Sequence, residues 1–258
     1  MRATTLSITL VLMLGPTLAG AQPRSSTPPP PAEPADRGFI SIDGGYRPAA
    51  VSFSDTVRIT QFVEPGTIDT AYRVKAAPEF DVAAGVRVWR RLALGADVAY
   101  LTKAGSGTVT AQIPHPFFFG RLRGVGGDAP SLTRQETAVH AQAVWMSALG
   151  DAGRWRLDLA AGPSFFRVGQ DVVQNVTVTE TYPFDTAALA TVAARRVTKS
   201  AVGFNVGADL SYMLSARVGV GTKVTFSRAR VALPSDASHD LTIDAGGAHI
   251  GVGLRFRF

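Results

Sequence analysis

From Gly38 onward, apolar residues recur at every second position, the period of a β-strand whose two faces meet different surroundings. Eight runs carry the pattern. The first sets Ile40, Ile42 and Tyr46 against Ser41, Asp43 and Arg47; the second sets Phe80, Val82, Ala84, Val86 and Val88 against Asp81, Gly85 and Arg87. The third opposes Leu92, Leu94, Ala96, Val98 and Tyr100 to Gly95, Asp97 and Lys103. The fourth, the least regular, opposes Val139, Ala141, Ala143 and Trp145 to His140 and Gln142. In the fifth, Trp155, Leu157, Leu159, Ala161 and Phe165 alternate with Arg156, Asp158, Gly162 and Ser164. The sixth runs from Val202 to Tyr212 with Asn205 and Asp209 on its polar side, and the seventh sets Val218, Val220, Val224 and Phe226 against Lys223 and Ser227. The eighth sets Ile250, Val252, Leu254, Phe256 and Phe258 against His249, Arg255 and Arg257.

The runs are joined alternately by short and long connections. Trp89-Arg90-Arg91, Gly150-Asp151-Ala152-Gly153 and Leu214-Ser215-Ala216 have the length of hairpin turns. Residues 48–78, 104–132, 169–197 and 232–244 are read as long loops. A soluble sandwich or lipocalin-like barrel would bury the apolar face, whereas a membrane barrel turns it toward lipid and keeps a polar interior. Runs of about 9–11 residues or more suit a tilted strand crossing a bilayer. The opposite face carries full charges and glycines, which suit a packed lumen better than a soluble exterior. Tyr46, Phe80, Tyr100, Phe165 and Phe226 gather at the long-connection ends, and Trp145, Trp155, Tyr212, Phe256 and Phe258 at the short-turn ends, as two interfacial girdles. The pattern predicts an all-β, eight-stranded antiparallel up-and-down transmembrane β-barrel with short periplasmic turns and long extracellular loops.

Composition adds a route and removes several function classes. Arg2, the apolar stretch Leu6–Leu14 and the small residues Ala19-Gly20-Ala21 read as a signal peptide over residues 1–21. Residues 22–37 (QPRSSTPPPPAEPADR) have no period and read as an extended periplasmic linker, with the barrel over 38–258. No later run of about 18 apolar residues suggests a transmembrane helix. The formal net charge of +6 becomes +5 once Arg2 leaves (6 − 1), and no continuous Lys/Arg run accompanies it, so a nucleic-acid partner is not expected. Cysteine is absent, which excludes disulfides and thiolate metal sites.

With these residues in view, the chain resembles the eight-stranded outer-membrane barrels of the OmpA/OmpX type over Gly38–Phe258. The most specific carrier is the final run, in which Phe258, Phe256, Leu254, Val252 and Ile250 occupy alternate positions ending on an aromatic residue. The resemblance implies a bacterial outer-membrane location. It also implies that the barrel assembly machinery reads this segment during insertion. The loops are longer than in the smallest members of that family, and a peptidoglycan-binding domain after the barrel is not expected.

Eight strands enclose an interior just wide enough for side chains to fill it. The inward candidates Asp43, Arg47, Asp81, Arg87, Asp97, Arg156, Asp158, Asp209, Lys223, Arg255 and Arg257 carry both signs, and an unpaired buried charge is costly, so a lumenal salt-bridge network is expected. Lys103 and His140 share that face. Arg228 and Arg230, just beyond Phe226 on the outward register, are candidates for contact with lipopolysaccharide phosphates. Phe117, Phe118 and Phe119, followed by Arg121 and Arg123, form a candidate contact patch in a surface loop.

No catalytic residue, cofactor or metal site is expected. His115, His140, His239 and His249 lack paired ligand spacing. Ser238-His239-Asp240 brings three catalytic residue types together only in sequence. Lipid A deacylases among such barrels carry a His-x-Ser pair on an outward face, and His140-Ala141-Gln142 does not match it. Gly219-Val220-Gly221-Thr222-Lys223 lacks the spacing of a phosphate loop. The reading is a non-enzymatic outer-membrane barrel with a closed, charge-filled lumen, whose loops serve envelope structure or surface interaction. A narrow ion or solute channel and a lipid A-modifying enzyme are the alternatives. The expected partners are outer-membrane lipid, lipopolysaccharide and the assembly machinery, the surface ligand being unassigned.

Overall fold

A computed structural model describes residues 36–48, 51–150, 153–235 and 240–258. The segment read as a signal peptide, nearly all of the linker, and Ser238-His239 lie outside the described residues. The elements are β1 (Gly38–Arg47), β2 (Val51–Gln61), β3 (Glu64–Val74), β4 (Ala77–Trp89), β5 (Leu92–Pro114), β6 (Leu122–Leu149), β7 (Trp155–Glu180), β8 (Ala187–Met213), β9 (Val218–Pro234) and β10 (Asp240–Arg257). Their hydrogen-bonded order is β2-β3-β5-β4-β1-β10-β9-β8-β7-β6, and β5 also pairs with β6. That second pairing of β5 closes a ring of eight antiparallel strands, β1 and β4 to β10, while β2 and β3 form a hairpin hung on the far part of β5. Among the described residues no helix is long and apolar enough to cross a membrane. The crossing elements are strands.

The eight expected runs are the strands of this ring, and their apolar faces point outward. Ile42, Val82, Leu94, Trp145, Leu159, Val206, Val224 and Leu254 are exposed, while Asp43, Asp81, Asp97, Asp158, Lys223 and Arg255 are buried inside. Tyr46, Phe80, Tyr100, Phe165 and Phe226 lie on the outer surface at one end of this band, and Trp145, Trp155 and Phe258 at the other. The seam runs between β1 and β10, from Phe39 opposite Arg257 to Tyr46 opposite Ile250. Closing the ring leaves no strand edge to face hydrocarbon, where unpaired backbone groups would be costly.

The connections differ from the sequence reading. The short ones are turns as expected, but most of the long ones are strand. Residues 48–78 contain the β2–β3 hairpin; β5 and β6 run on to a turn at 115–121, and β7 and β8 to a turn at 181–186. The periodicity did not stop at the outer girdle: it changed sign. Beyond Tyr100, Thr108 and Thr110 face out while Val109, Ala111 and Ile113 are buried. Along β9, Val224 and Phe226 face out against buried Lys223, Thr225 and Ser227, and then Arg228 and Arg230 face out against buried Ala229, Val231 and Leu233.

This distal region also changes its pairing. β6 leaves β7 at Arg134–Gln170, and β8 leaves β9 at Gly203–Ala229. Above those levels the cylinder divides into a β2-β3-β5-β6 sheet and the β7–β8 and β9–β10 ribbons. Their inner faces pack into one apolar core that includes Val57, Ile68, Tyr72, Val109, Ile113, Val125, Phe166, Val172, Val231 and Ile243. The Tyr72 hydroxyl reaches across it to accept the Val173 N–H at 2.8 Å, supplying a partner where β7 has lost β6. Burial pushes the pKa of that phenol up to about 12, so it stays protonated as pH rises past the usual tyrosine range.

Candidate functional site

Two places in this frame carry candidate chemistry: the lumen of the membrane-spanning half, and the distal tips. The inward residues of the ring form ion pairs in tiers. Nearest the short turns, Arg257 Nη2 meets Asp158 Oδ2 at 2.5 Å and its guanidinium lies 5.6 Å from the Phe39 ring centroid, while Arg156 meets Asp36 at 2.6 Å. Above them Arg255 bridges Asp43 at 2.8 Å and Asp209 at 2.6 Å. Lys223 Nζ sits between Asp81 and Asp97, 2.5 Å from each, with His249 Nδ1 3.6 Å from Asp81. At the outer rim Arg47 spans Glu79 and Glu136 at 2.5 and 2.6 Å, and Arg134 Nε joins Glu136 at 2.7 Å. Gly246 and Gly247, at φ of 87° and 139°, let β10 approach this tier. The Gly246 N–H donates to Glu136 at 3.2 Å, and a Cβ there would stand 2.4 Å from the Ser227 carbonyl oxygen.

Of the inward candidates, Arg87 is half-buried on the same face, and its Nε has no hydrogen-bond partner among the described residues. Lys103 is half-buried where β5 passes into the distal region. Sequence reasoning missed Asp36, Glu79, Arg134 and Glu136. Glu79 lies two residues before Asp81, and Arg134 and Glu136 lie six and four before His140, so period two extended past the assigned runs would have found these three; Asp36 is out of that register, in the segment read as linker. An apolar cluster of Ala93, Val144 and Met146, with Phe39 and Ala160 against it, fills the short-turn end. Between it and the ion pairs remains a cavity of about 40 Å³ bordered by Asp158, Asp209, Lys223, Arg255 and Arg257. One water needs about 10–15 Å³, so this space has room for a few waters.

The lumen also contains a hydroxyl and an imidazole within reach of each other. His140 Nδ1 and Ser164 Oγ are 2.7 Å apart, Asn205 Nδ2 donates to Ser164 Oγ at 2.9 Å, and Gln142 Nε2 donates to Asn205 Oδ1 at 2.9 Å. A base beside a hydroxyl is the ground plan of an activated nucleophile. Here Ser164 is wholly buried, and the pair stitches β6, β7 and β8 together from within. Among the described residues no group of three or more His, Cys, Asp or Glu could hold a metal ion.

The distal tips form a built cap. At the β5–β6 turn His115 is buried, and its Nδ1 accepts the N–H groups of Phe117 and Phe118 at 3.1 and 3.2 Å, fixing the turn that carries Phe117, Phe118 and Phe119. Buried Arg123 donates to Glu180 at 2.7 Å, to the Phe184 carbonyl at 3.0 Å and to the Pro114 carbonyl at 2.9 Å, binding this turn to the β7–β8 turn. Arg121 meets Asp185 at 3.0 Å and lies over the Phe118 ring. The Gly120 N–H donates to Glu64 at 2.8 Å, which brings in the β2–β3 tip with Phe62 and Val63. Phe117 packs edge-on to Phe184 at 5.4 Å, and Phe184 to Tyr182 at 6.1 Å. Even so, Phe117 is 71 %, Phe119 90 %, Tyr182 83 % and Val63 93 % exposed.

The remaining candidates lie on the outer surface. Arg228 and Arg230 are exposed just beyond Phe226, Arg228 paired with Asp244 at 2.9 Å and Arg230 directly across from Asp244. Ile250, Val252, Leu254 and Phe258 are exposed on the lipid-facing side of the seam, with Phe256 half-buried on that face. The Phe258 carbonyl accepts the N–H groups of Arg37 and Gly38 at 2.7 and 2.8 Å, and its own N–H donates to the Gly38 carbonyl at 3.1 Å.

An eight-stranded antiparallel ring, an apolar outer band between aromatic girdles and a lumen of paired charges define a transmembrane β-barrel of the bacterial outer-membrane type. Among solved structures the chain is similar to the Neisserial surface protein A (NspA), at 12% identity and a TM-score of 0.46, covering 86% of this chain and 97% of that one. It is also similar to the outer membrane protein OprG from Pseudomonas aeruginosa (12% identity, TM-score 0.47, 86% and 97%). A third is the outer membrane protease OmpT from Escherichia coli (11% identity, TM-score 0.46, 87% and 98%). No protein-family model matches the sequence, and no curated protein matches it. At such identities and scores no activity transfers from these structures.

Proposed function

We propose that the protein is a non-enzymatic, non-conducting outer-membrane barrel that holds a rigid contact surface above the membrane. The observation that carries this reading is the distal half itself: strands continued past the outer girdle, packed on an apolar core, and ended in an ordered aromatic cap. A structure meant to pass solutes would keep its mouth open and wet. Here an apolar plug above and tiers of ion pairs below oppose the entry of water and ions. An enzyme acting on lipid would need its nucleophile on the outer face, and the His140–Ser164 pair is inside.

The cap stands well clear of the bilayer. From Tyr100 at the girdle to Pro114, β5 runs fourteen residues (114 − 100), roughly 45 Å of strand, or about 35 Å of height at a tilt near 40°. Lipopolysaccharide contact at Arg228 and Arg230 would seat the barrel in its own leaflet and is a separate, supporting role. Planar-bilayer recording tests the closed-lumen reading: the intact protein should give no resolved single-channel events. Steady unitary currents would favour the narrow channel instead.

A further inference from the structure

The distal cap has the make-up of a surface that enters lipid. Four of its aromatic side chains, Phe117, Phe118, Phe119 and Tyr182, are more than half exposed and present apolar area on the order of 600 Å² together. That is at or above the largest apolar patch of an ordinary soluble surface, and such patches mark protein or membrane contact. Exposure and charge choose between the two. The side chains stand on the β5–β6 and β7–β8 turns, at the outermost ends of their strands. The charged groups placed among the tips are matched within the cap: Arg121 with Asp185, Arg123 with Glu180, and Glu64 with the Gly120 N–H. An aromatic knob whose arginines are both paired with carboxylates complements the net-neutral interfacial zone of a zwitterionic bilayer, where aromatic rings prefer to lie. Because His115 and Arg123 already fix the turns, insertion would require little further ordering.

On this basis, and resting on the surface-contact reading above, we infer that the cap docks onto a second lipid bilayer apposed to the cell, burying Phe117, Phe119 and Tyr182 in its interfacial zone. The test uses the full barrel reconstituted in nanodiscs and mixed with separate phosphatidylcholine vesicles, with co-flotation as the readout. The native protein should float with the vesicles. Phe117→Ser, Phe119→Ser and Tyr182→Ser combined should lower the bound fraction by about tenfold or more, since exposed apolar area drives the association. Retained heat-modifiable migration on a gel would show the variant still folded. Thr108→Ala with Thr110→Ala, outward on the wall of β5 and outside the cap turns, should leave flotation unchanged. Failure of the native protein to float, or flotation indifferent to the triple substitution, overturns the lipid assignment. If vesicles stay bare while the same substitution abolishes cell-to-cell aggregation, the partner is a protein; the lipid inference then falls and the surface-contact reading survives.

Discussion

The two halves of this barrel use one strand pattern with opposite meanings. In the membrane half, Val206, Val224 and Leu254 look outward and Asp81, Lys223 and Arg255 look inward; in the distal half, Thr108 and Thr110 look outward and Val109 and Ile113 look inward. The same sheet crosses from one regime to the other within a residue or two, as at Phe165, outside, followed by Phe166, inside. The solvent outside decides which face must be apolar. Where lipid surrounds the strands, the interior can hold charge only if each charge finds a partner. Where water surrounds them, the interior returns to hydrocarbon and packs like any soluble core.

That contrast can be broken at chosen points. The largest effect should come from Lys223→Met, which leaves Asp81 and Asp97 facing each other without their cation. A loss of about 3–5 kcal/mol is expected in urea unfolding from lipid vesicles. Replacing all three residues with leucine should recover most of it, and a single variant as stable as the native protein would mean the tier is not a coupled unit. Next, Val206→Arg on the lipid face should cost about 2–4 kcal/mol near the bilayer midplane. Thr110→Arg, also outward but in the distal half, should stay within about 0.5 kcal/mol. Equal costs at the two positions would put the membrane boundary elsewhere. A smaller cost than that of the lipid-facing arginine should follow Ile68→Val, about 0.5–1.5 kcal/mol. Hydrogen exchange should then quicken in β2 and β3 while amides of β9 near Lys223 keep their protection. A matching change in both regions would make the halves one cooperative unit.

The membrane half was legible in the sequence because lipid demands long apolar faces, and Ile250 to Phe258 or Val218 to Phe226 can hardly be read otherwise. The distal half was not, although Thr108 to Ile113 alternates just as strictly. Its outward residues are threonine and arginine and its inward ones valine and alanine, so a search for apolar outer faces passes over them as loop. The lumen was half legible. Periodicity brings Asp43, Asp81 and Arg255 to one side, but which carboxylate meets which cation depends on strands far apart in sequence, as with Arg47 and Glu136. The cap was visible only as Phe117 to Phe119. Its anchors, His115 and Arg123, look like ordinary loop residues until Glu180 and Phe184 are folded against them.

The seam between β1 and β10 sets the timing of assembly. Phe39 lies opposite Arg257, 218 positions along the chain (257 − 39), so the first strand of the ring has one of its two permanent neighbours only after all the others have been made. Until then the growing sheet carries two open edges whose outer faces are apolar, a form prone to pair with other chains. Contacts so distant in sequence also close slowly. That exposure ends only when the last pairing is made, and it is least costly where closure of the seam and burial of the outer face in lipid coincide.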